Sequence, residues 1–228
     1  KCATKVYPNS HSLKNFIVEN NYTTFKKLTV LLNGSTNGVD TDYFAPNSIP
    51  DKSLLRKEFK IAKDAFVFIY VGRIAKEKGI EELVSAFEKL VRSHPRKDIQ
   101  LMIIGEFERH YGCIKKSTEE KINKQEGIKL MGRFDDVRPY YQMANFFVLP
   151  SYREGFPNAV LEAGAMGLPS IVTDINGCNE IIENNLNGLI IAPQNQDDLY
   201  IAMEKCLIDS DLLANISLNS RSNVIQKY

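Results

Sequence analysis

Phe66-Val67-Phe68-Ile69-Tyr70-Val71 is followed by Gly72-Arg73-Ile74-Ala75-Lys76-Glu77-Lys78-Gly79 and then by Ile80-Glu81-Glu82-Leu83-Val84-Ser85-Ala86-Phe87-Glu88-Lys89-Leu90-Val91. The first run has no charged residue, as expected of a strand buried on both faces. In the last, Ile80, Leu83, Val84, Phe87, Leu90 and Val91 recur at spacings of three and four and share one helical face. Between them lies a basic loop with a glycine at each end. The same alternation continues: apolar runs at Gln100 to Ile104, Ile128 to Met131, Asn145 to Leu149, Ser170 to Thr173 and Gly188 to Ile191 are separated by helical patterns. Strand, helix and strand repeated without long loops implies right-handed parallel crossovers. The expected fold class is therefore α/β, a doubly wound, Rossmann-like parallel sheet of six strands, with ligands at the carboxyl ends of the strands. Residues 46–208 form this unit.

Working outward, residues 1–45 do not continue the repeat. Leu28 to Leu32 reads as a strand, and the polar stretch after it, with Asn33-Gly34, Asn37-Gly38, Pro46 and Pro50, reads as an inter-domain linker. With no initiator Met and no clear start signal in the first segment, residues 1–45 are expected to be the tail and linker of a preceding domain. Residues 209–228 read as a C-terminal polar helix carrying Leu212, Leu213, Ile216 and Leu218, placed to cross back to that domain.

The composition narrows the function. The 228 residues carry 29 basic and 28 acidic side chains, a net charge of +1, with 43% hydrophobic residues. That balance suits an ordinary globular protein and excludes a disordered chain. A nucleic-acid partner is excluded too, because it needs a clustered basic excess. No window of about 18 apolar residues offers a membrane span, and no apolar signal region opens the chain. The expected compartment is the cytoplasm. Cys2, Cys113, Cys178 and Cys206 are too far apart for a zinc site or a disulfide framework and are expected to be buried thiols. His11, His94 and His110 are isolated in polar segments, and no role is read for them.

Two stretches carry chemistry. Leu149-Pro150-Ser151-Tyr152-Arg153-Glu154-Gly155-Phe156-Pro157-Asn158-Ala159-Val160-Leu161-Glu162-Ala163 follows a strand and opens a helix. Pro157 suits a first helical turn, and the amides around Phe156, Asn158 and Ala159 form the positive end of a helix dipole, where an anion such as phosphate binds. Glu154 and Glu162 flank that place and can accept hydrogen bonds from sugar hydroxyls. In the loop after the first strand, Gly72 allows close backbone approach, and Arg73 and Lys78 can neutralise a diphosphate without a metal. Asp40-Thr41-Asp42 imitates a metal-binding Asp-x-Asp pair but belongs to the Asn37-Gly38-Val39-Asp40 turn, so no metal site is expected. Glu180 and Asp174 read as capping and turn residues, and Tyr140 and Tyr141 as packing residues.

Taken in order, Asn37-Gly38-Val39-Asp40, Gly72-Arg73 with Lys78-Gly79, Gly132-Arg133, Leu149-Pro150-Ser151 with its two glutamates, Gly167-Leu168-Pro169 and Gly177 with Glu180 resemble the nucleotide-sugar-binding C-terminal half of the retaining glycosyltransferases of family four, whose two-domain fold is called GT-B. The Gly34-to-Asp40 variant is similar to that of enzymes building bacterial capsular and surface polysaccharides. The resemblance implies transfer of a sugar from a nucleotide diphosphate donor, UDP-linked above all, to a glycan or lipid-linked acceptor. It needs no cofactor, and the full-length protein is expected at the inner face of the membrane. It implies catalytic roles for Arg73, Lys78 and Glu154. Arg73 and Lys78 hold the diphosphate, Glu162 the ribose and Glu154 the donor sugar, with Gly72, Gly155, Phe156, Pro157, Asn158 and Ala159 around them. Gly132, Arg133 and Phe134 border the base. The acceptor site belongs to the other half, so this chain alone is expected to bind but hardly turn over. The sequence departs from the pattern at Gly105-Glu106-Phe107, which lacks a second glycine and leaves open how closely that loop approaches the ligand, and at Asp135-Asp136, which makes the base edge acidic. Two rivals stay open: a non-hydrolysing sugar-nucleotide epimerase and a non-catalytic sugar-nucleotide-binding module. Product analysis separates them.

Overall fold

A computed structural model describes residues 3–228. In chain order the elements are α1 (His11–Glu19), α2 (Lys52–Glu58), β1 (Phe66–Val71), α3 (Ile80–Ser93), β2 (Ile99–Ile104), α4 (Lys116–Lys124), β3 (Ile128–Gly132), α5 (Arg138–Met143), β4 (Phe146–Leu149), α6 (Asn158–Ala165), β5 (Ser170–Thr173), α7 (Cys178–Ile181), β6 (Gly188–Ile191), α8 (Gln196–Ile208) and α9 (Ser210–Lys227). The six strands form one sheet in the order β3-β2-β1-β4-β5-β6, all neighbours parallel. The expected fold class is the one found.

The apolar runs are strands because both of their faces are covered. Val67, Phe68, Ile69 and Tyr70 are fully buried, as are Phe146, Phe147 and Val148 on the neighbouring strand. The stripe foreseen on α3 packs inward through Ile80, Leu83, Val84, Phe87 and Leu90. The winding reverses between β1 and β4. There the connections leave in opposite directions and open a crevice at the carboxyl ends. Backbone proximity sets its floor. Gly105, just after β2, has φ of 150°, and a Cβ there would fall 1.9 Å from the Gly72 carbonyl oxygen. The single glycine of the Gly105-Glu106-Phe107 loop is thus the one that lets the loops after β1 and β2 touch.

Two expectations are corrected. Leu28 to Leu32 is not a strand: Leu28 makes one parallel bridge with Val6, whereas Leu31 and Leu32 are 60% and 93% exposed. Extended residues become a strand only where a neighbour takes up their hydrogen bonds, and here a turn from the Gly34 amide to the Leu31 carbonyl ends the run. The cysteines are also mixed. Cys178 and Cys206 are buried, Cys113 is exposed in a loop, and Cys2 lies outside the described residues.

Buried Arg56, unremarkable in the sequence, spans α2, α5 and the start of β1 by donating to the carbonyls of Met143, Lys63 and Ala65 and to Asn145 Oδ1. Among the described residues no helix is long and apolar enough to cross a membrane.

Replacing Gly105 with Ala should lower stability by about 2–4 kcal/mol, combining a strained φ with backbone overlap. Urea unfolding of the variant measures it; an unchanged midpoint would mean that the two loops separate freely.

Candidate functional site

At the reversal, the loop after β1 and the loop after β4 are tied together. The Glu77 carbonyl accepts from the Tyr152 amide at 2.8 Å and from Ser151 Oγ at 3.2 Å. Tyr70, buried in β1, donates its hydroxyl to the Arg73 carbonyl at 2.6 Å and so shapes the turn that presents Arg73. Lys78 then lies 2.7 Å from Glu154 Oε1, both side chains mostly buried. Gly72, Arg73, Lys78, Glu154, Pro157, Asn158 and Ala159 line one cavity of about 210 Å³. A larger one of about 460 Å³ shares Val71, Gly72 and Arg73 with it and is bounded by residues 104–110, Arg133, Phe134 and Val137. The two are therefore adjacent, with Arg73 at their junction.

The start of α6 is uncapped by any side chain, with Pro157 at the N-cap rather than inside the first turn. An uncapped helix start leaves free amides for an anion. Glu162 sits one turn in, does not line either cavity, and accepts a hydrogen bond from Tyr141 Oη at 3.1 Å. Burial holds its carboxyl above the ordinary value near 4.5, with the Tyr141 bond opposing weakly. Phe156 buries its ring against Tyr228, centroids 5.4 Å apart, so only its backbone remains for a ligand. Phe134 is half-exposed and lies against Tyr140 at 4.7 Å. Asp136 is engaged by Arg138 at 2.7 Å, which holds its carboxyl below the ordinary range and limits how much the acidic pair affects the cavity edge.

Several readings gain detail. Tyr141 packs as expected but also orients Glu162. Glu180 is a cap, though not a local one: its carboxylate accepts from the His11 and Ser12 amides at 2.7 and 2.9 Å and fixes the start of α1. Asp174 stays local, bonded to Asn179. Asp40 accepts from the Asp42 and Tyr43 amides within its own turn. His94 is paired with Glu204 at 2.8 Å, and His110 lines the larger cavity. Among the described residues no three His, Cys, Asp or Glu side chains converge as metal ligands. Glu108 and Glu77, which the sequence reading passed over, both grip Arg73.

The sequence profile of the family described as "Glycosyl transferases group 1" matches residues 51–223, well over half of the chain. The chain belongs to that family. This group 1 glycosyl transferase chain is 33% identical over 227 residues to the capsular polysaccharide biosynthesis glycosyltransferase CapM of Staphylococcus aureus, covering 100% of this chain and 58% of that protein. It is 28% identical over 228 residues to the UDP-Gal:alpha-D-GlcNAc-diphosphoundecaprenol alpha-1,3-galactosyltransferase of Escherichia coli, covering 100% of this chain and 57% of that one. The crystal structure of a glycosyltransferase from Rickettsia africae superposes with a TM-score of 0.85 at 25% identity, over 99% of this chain and 59% of the other. The chain thus spans somewhat under three fifths of the length of these relatives.

Two measurements probe the site's energetics. A double-mutant cycle of Lys78→Met and Glu154→Gln, read by unfolding, should give a coupling of about 1–2 kcal/mol, because neither partner is well solvated. A value near zero would mean that the pair forms no energetic contact. For Glu162, the native state binds the proton more tightly than the unfolded chain, so its contribution to stability is fully present below about 4.5 and is lost as pH rises through the raised pKa. Glu162→Gln should remove that loss and unfold at a higher temperature than wild type at pH 7. A lower melting temperature would show that ionised Glu162 is stabilising.

Proposed function

We propose that this chain is the donor-binding half of a retaining glycosyltransferase that moves a sugar from a nucleoside diphosphate, UDP first, to a glycan or lipid-linked acceptor in surface-polysaccharide synthesis. The observation that carries it is the convergence on one cavity of Gly72, Arg73, Lys78, Glu154 and the start of α6, drawn from two loops more than 70 residues apart, at the crevice where a doubly wound sheet binds ligands. The names of the relatives, one acting in capsule biosynthesis and one using a UDP-sugar with a lipid-linked acceptor, support the substrate class.

In this reading the diphosphate lies between Arg73, Lys78 and the α6 amides, which stabilise the charge that grows on it as the glycosidic bond breaks. No metal is needed for that neutralisation. Glu162, held by Tyr141 one turn behind the cavity-lining Asn158 and Ala159, receives the ribose hydroxyls, and the larger cavity beside Arg133 and Phe134 takes the base. Glu154 faces the donor sugar. The acceptor site lies in the sequence that the longer relatives have beyond this chain, so the chain alone binds the donor and turns over little. The full protein works in the cytoplasm at the inner membrane face, where a lipid-linked acceptor is presented.

Calorimetry should find UDP binding that survives EDTA. Lys78→Ala should weaken UDP by about 1.5–3 kcal/mol, the scale of a charged hydrogen bond, and leave uridine unaffected, whereas Glu162→Gln should weaken both. Binding that appears only with magnesium or manganese, or equal losses of UDP and uridine on Lys78→Ala, would refute the arrangement.

A further inference from the structure

Arg73 is engaged by two anions of its own chain. Its guanidinium lies 2.8 Å from Glu108 Oε2 and 2.9 Å from Glu77 Oε1, and Glu77 also takes Arg153 at 2.9 Å. The two carboxylates are not equivalent. Glu77 is part of the clamp between the loops after β1 and β4 and answers to two arginines. Glu108 comes from the loop after β2, lines the larger cavity beside Arg73, and is held in place by the His110 amide at 3.0 Å. That amide, and then Arg73, keep its carboxyl below the ordinary range, so it is an anion at neutral pH. Its side chain is 19% exposed against 57% for Arg73; the guanidinium is the open member of the pair, and the carboxylate the anchored one.

Resting on the donor reading above, we infer that Glu108 is an internal competitor: an anion seated on Arg73 that a diphosphate must displace to bind. A diphosphate arriving at Arg73 trades one anion for another and so binds more weakly than it would to an arginine without Glu108, its remaining hold coming from Lys78 and the start of α6. A nucleoside in the larger cavity, which both side chains line, brings no phosphate to exchange for Glu108 and gains nothing from its removal. The exchange also has an ionic signature. Removing Glu108 leaves Arg73 with Glu77 alone and opens its other side to solution anions, so UDP binding then competes with added salt more than it does in wild type.

The test is calorimetric titration of the 228-residue chain and of Glu108→Gln and Glu108→Ala with UDP and with uridine, at about 20 mM and about 500 mM salt. Both variants should bind UDP about two to five times more tightly than wild type at low salt, a range typical of a partly exposed ion pair. The gain should shrink at high salt, and uridine should not respond. Gln keeps an acceptor for the His110 amide and Ala does not, so a gain shared by both separates the charge from the loop's order. If wild type binds UDP and Glu108→Gln binds it equally or less tightly, or if uridine tightens as much as UDP, Glu108 is not a competitor and the inference falls while the donor reading stands. If neither wild type nor variants bind UDP, the donor reading falls and takes the inference with it.

Discussion

The molecule depends on how closely the backbone after β1 approaches the backbone after β4. Gly79 lies directly on the Pro150 carbonyl, where any Cβ would sit 2.0 Å from its oxygen, and the two loops are stitched by the hydrogen bonds to the Glu77 carbonyl. Two parallel strands whose connections part in opposite directions would otherwise leave an open cleft. Here the cleft is drawn nearly shut at one point, and that contraction sets Lys78 beside Glu154 and the first amides of α6 near Gly72. The cavity geometry is thus a by-product of chain packing rather than of any one side chain.

A second theme is neutrality at short range. The chain's net charge of +1 conceals a site in which three cations are paired at short range: Arg73 with Glu77 and Glu108, Arg153 with Glu77, and Lys78 with Glu154. The arginine pairs are partly solvated and cost little, the Lys78–Glu154 pair is mostly buried, and all of them hold long side chains in defined positions. Glu162 is the opposite case. It is a carboxylate kept in a poorly solvated place with one hydroxyl for company, and its burial disfavours the charged form.

Much of this was legible in the sequence, for identifiable reasons. A strand buried on both faces is a short run without charges, rich in β-branched and aromatic residues, so β1, β5 and β6 were readable to the residue. The stripe on α3 follows from helical geometry alone. Glu154 and Glu162 could be placed relative to one helix start because they lie within a single loop and turn. What stayed hidden depends on residues brought together from far along the chain. The Tyr141 contact to Glu162, the grip of Glu108 on Arg73 and the capping of α1 by Glu180 join positions 21, 35 and about 169 residues apart. Leu28 to Leu32 misled for the converse reason, since its composition is that of a strand but no neighbour beyond Val6 is there to pair with it.

Arg221, near the end of α9, donates to the carbonyls of Thr41, Phe44 and Ala165, and so joins the turn ahead of the sheet, the end of α6 and the last helix through one side chain. Each of those carbonyls would lose a charged donor if α9 came from a parent without an arginine at this position, or lose its alignment if the turn or α6 were seated differently. In a chimera built by swapping this unit between relatives, residues 40–45, α6 and α9 therefore behave as a single inheritance block. Crossovers should be tolerated before Asp40 or outside the helix, and a junction that separates the turn from Arg221 breaks the block even though the two lie at opposite ends of the chain.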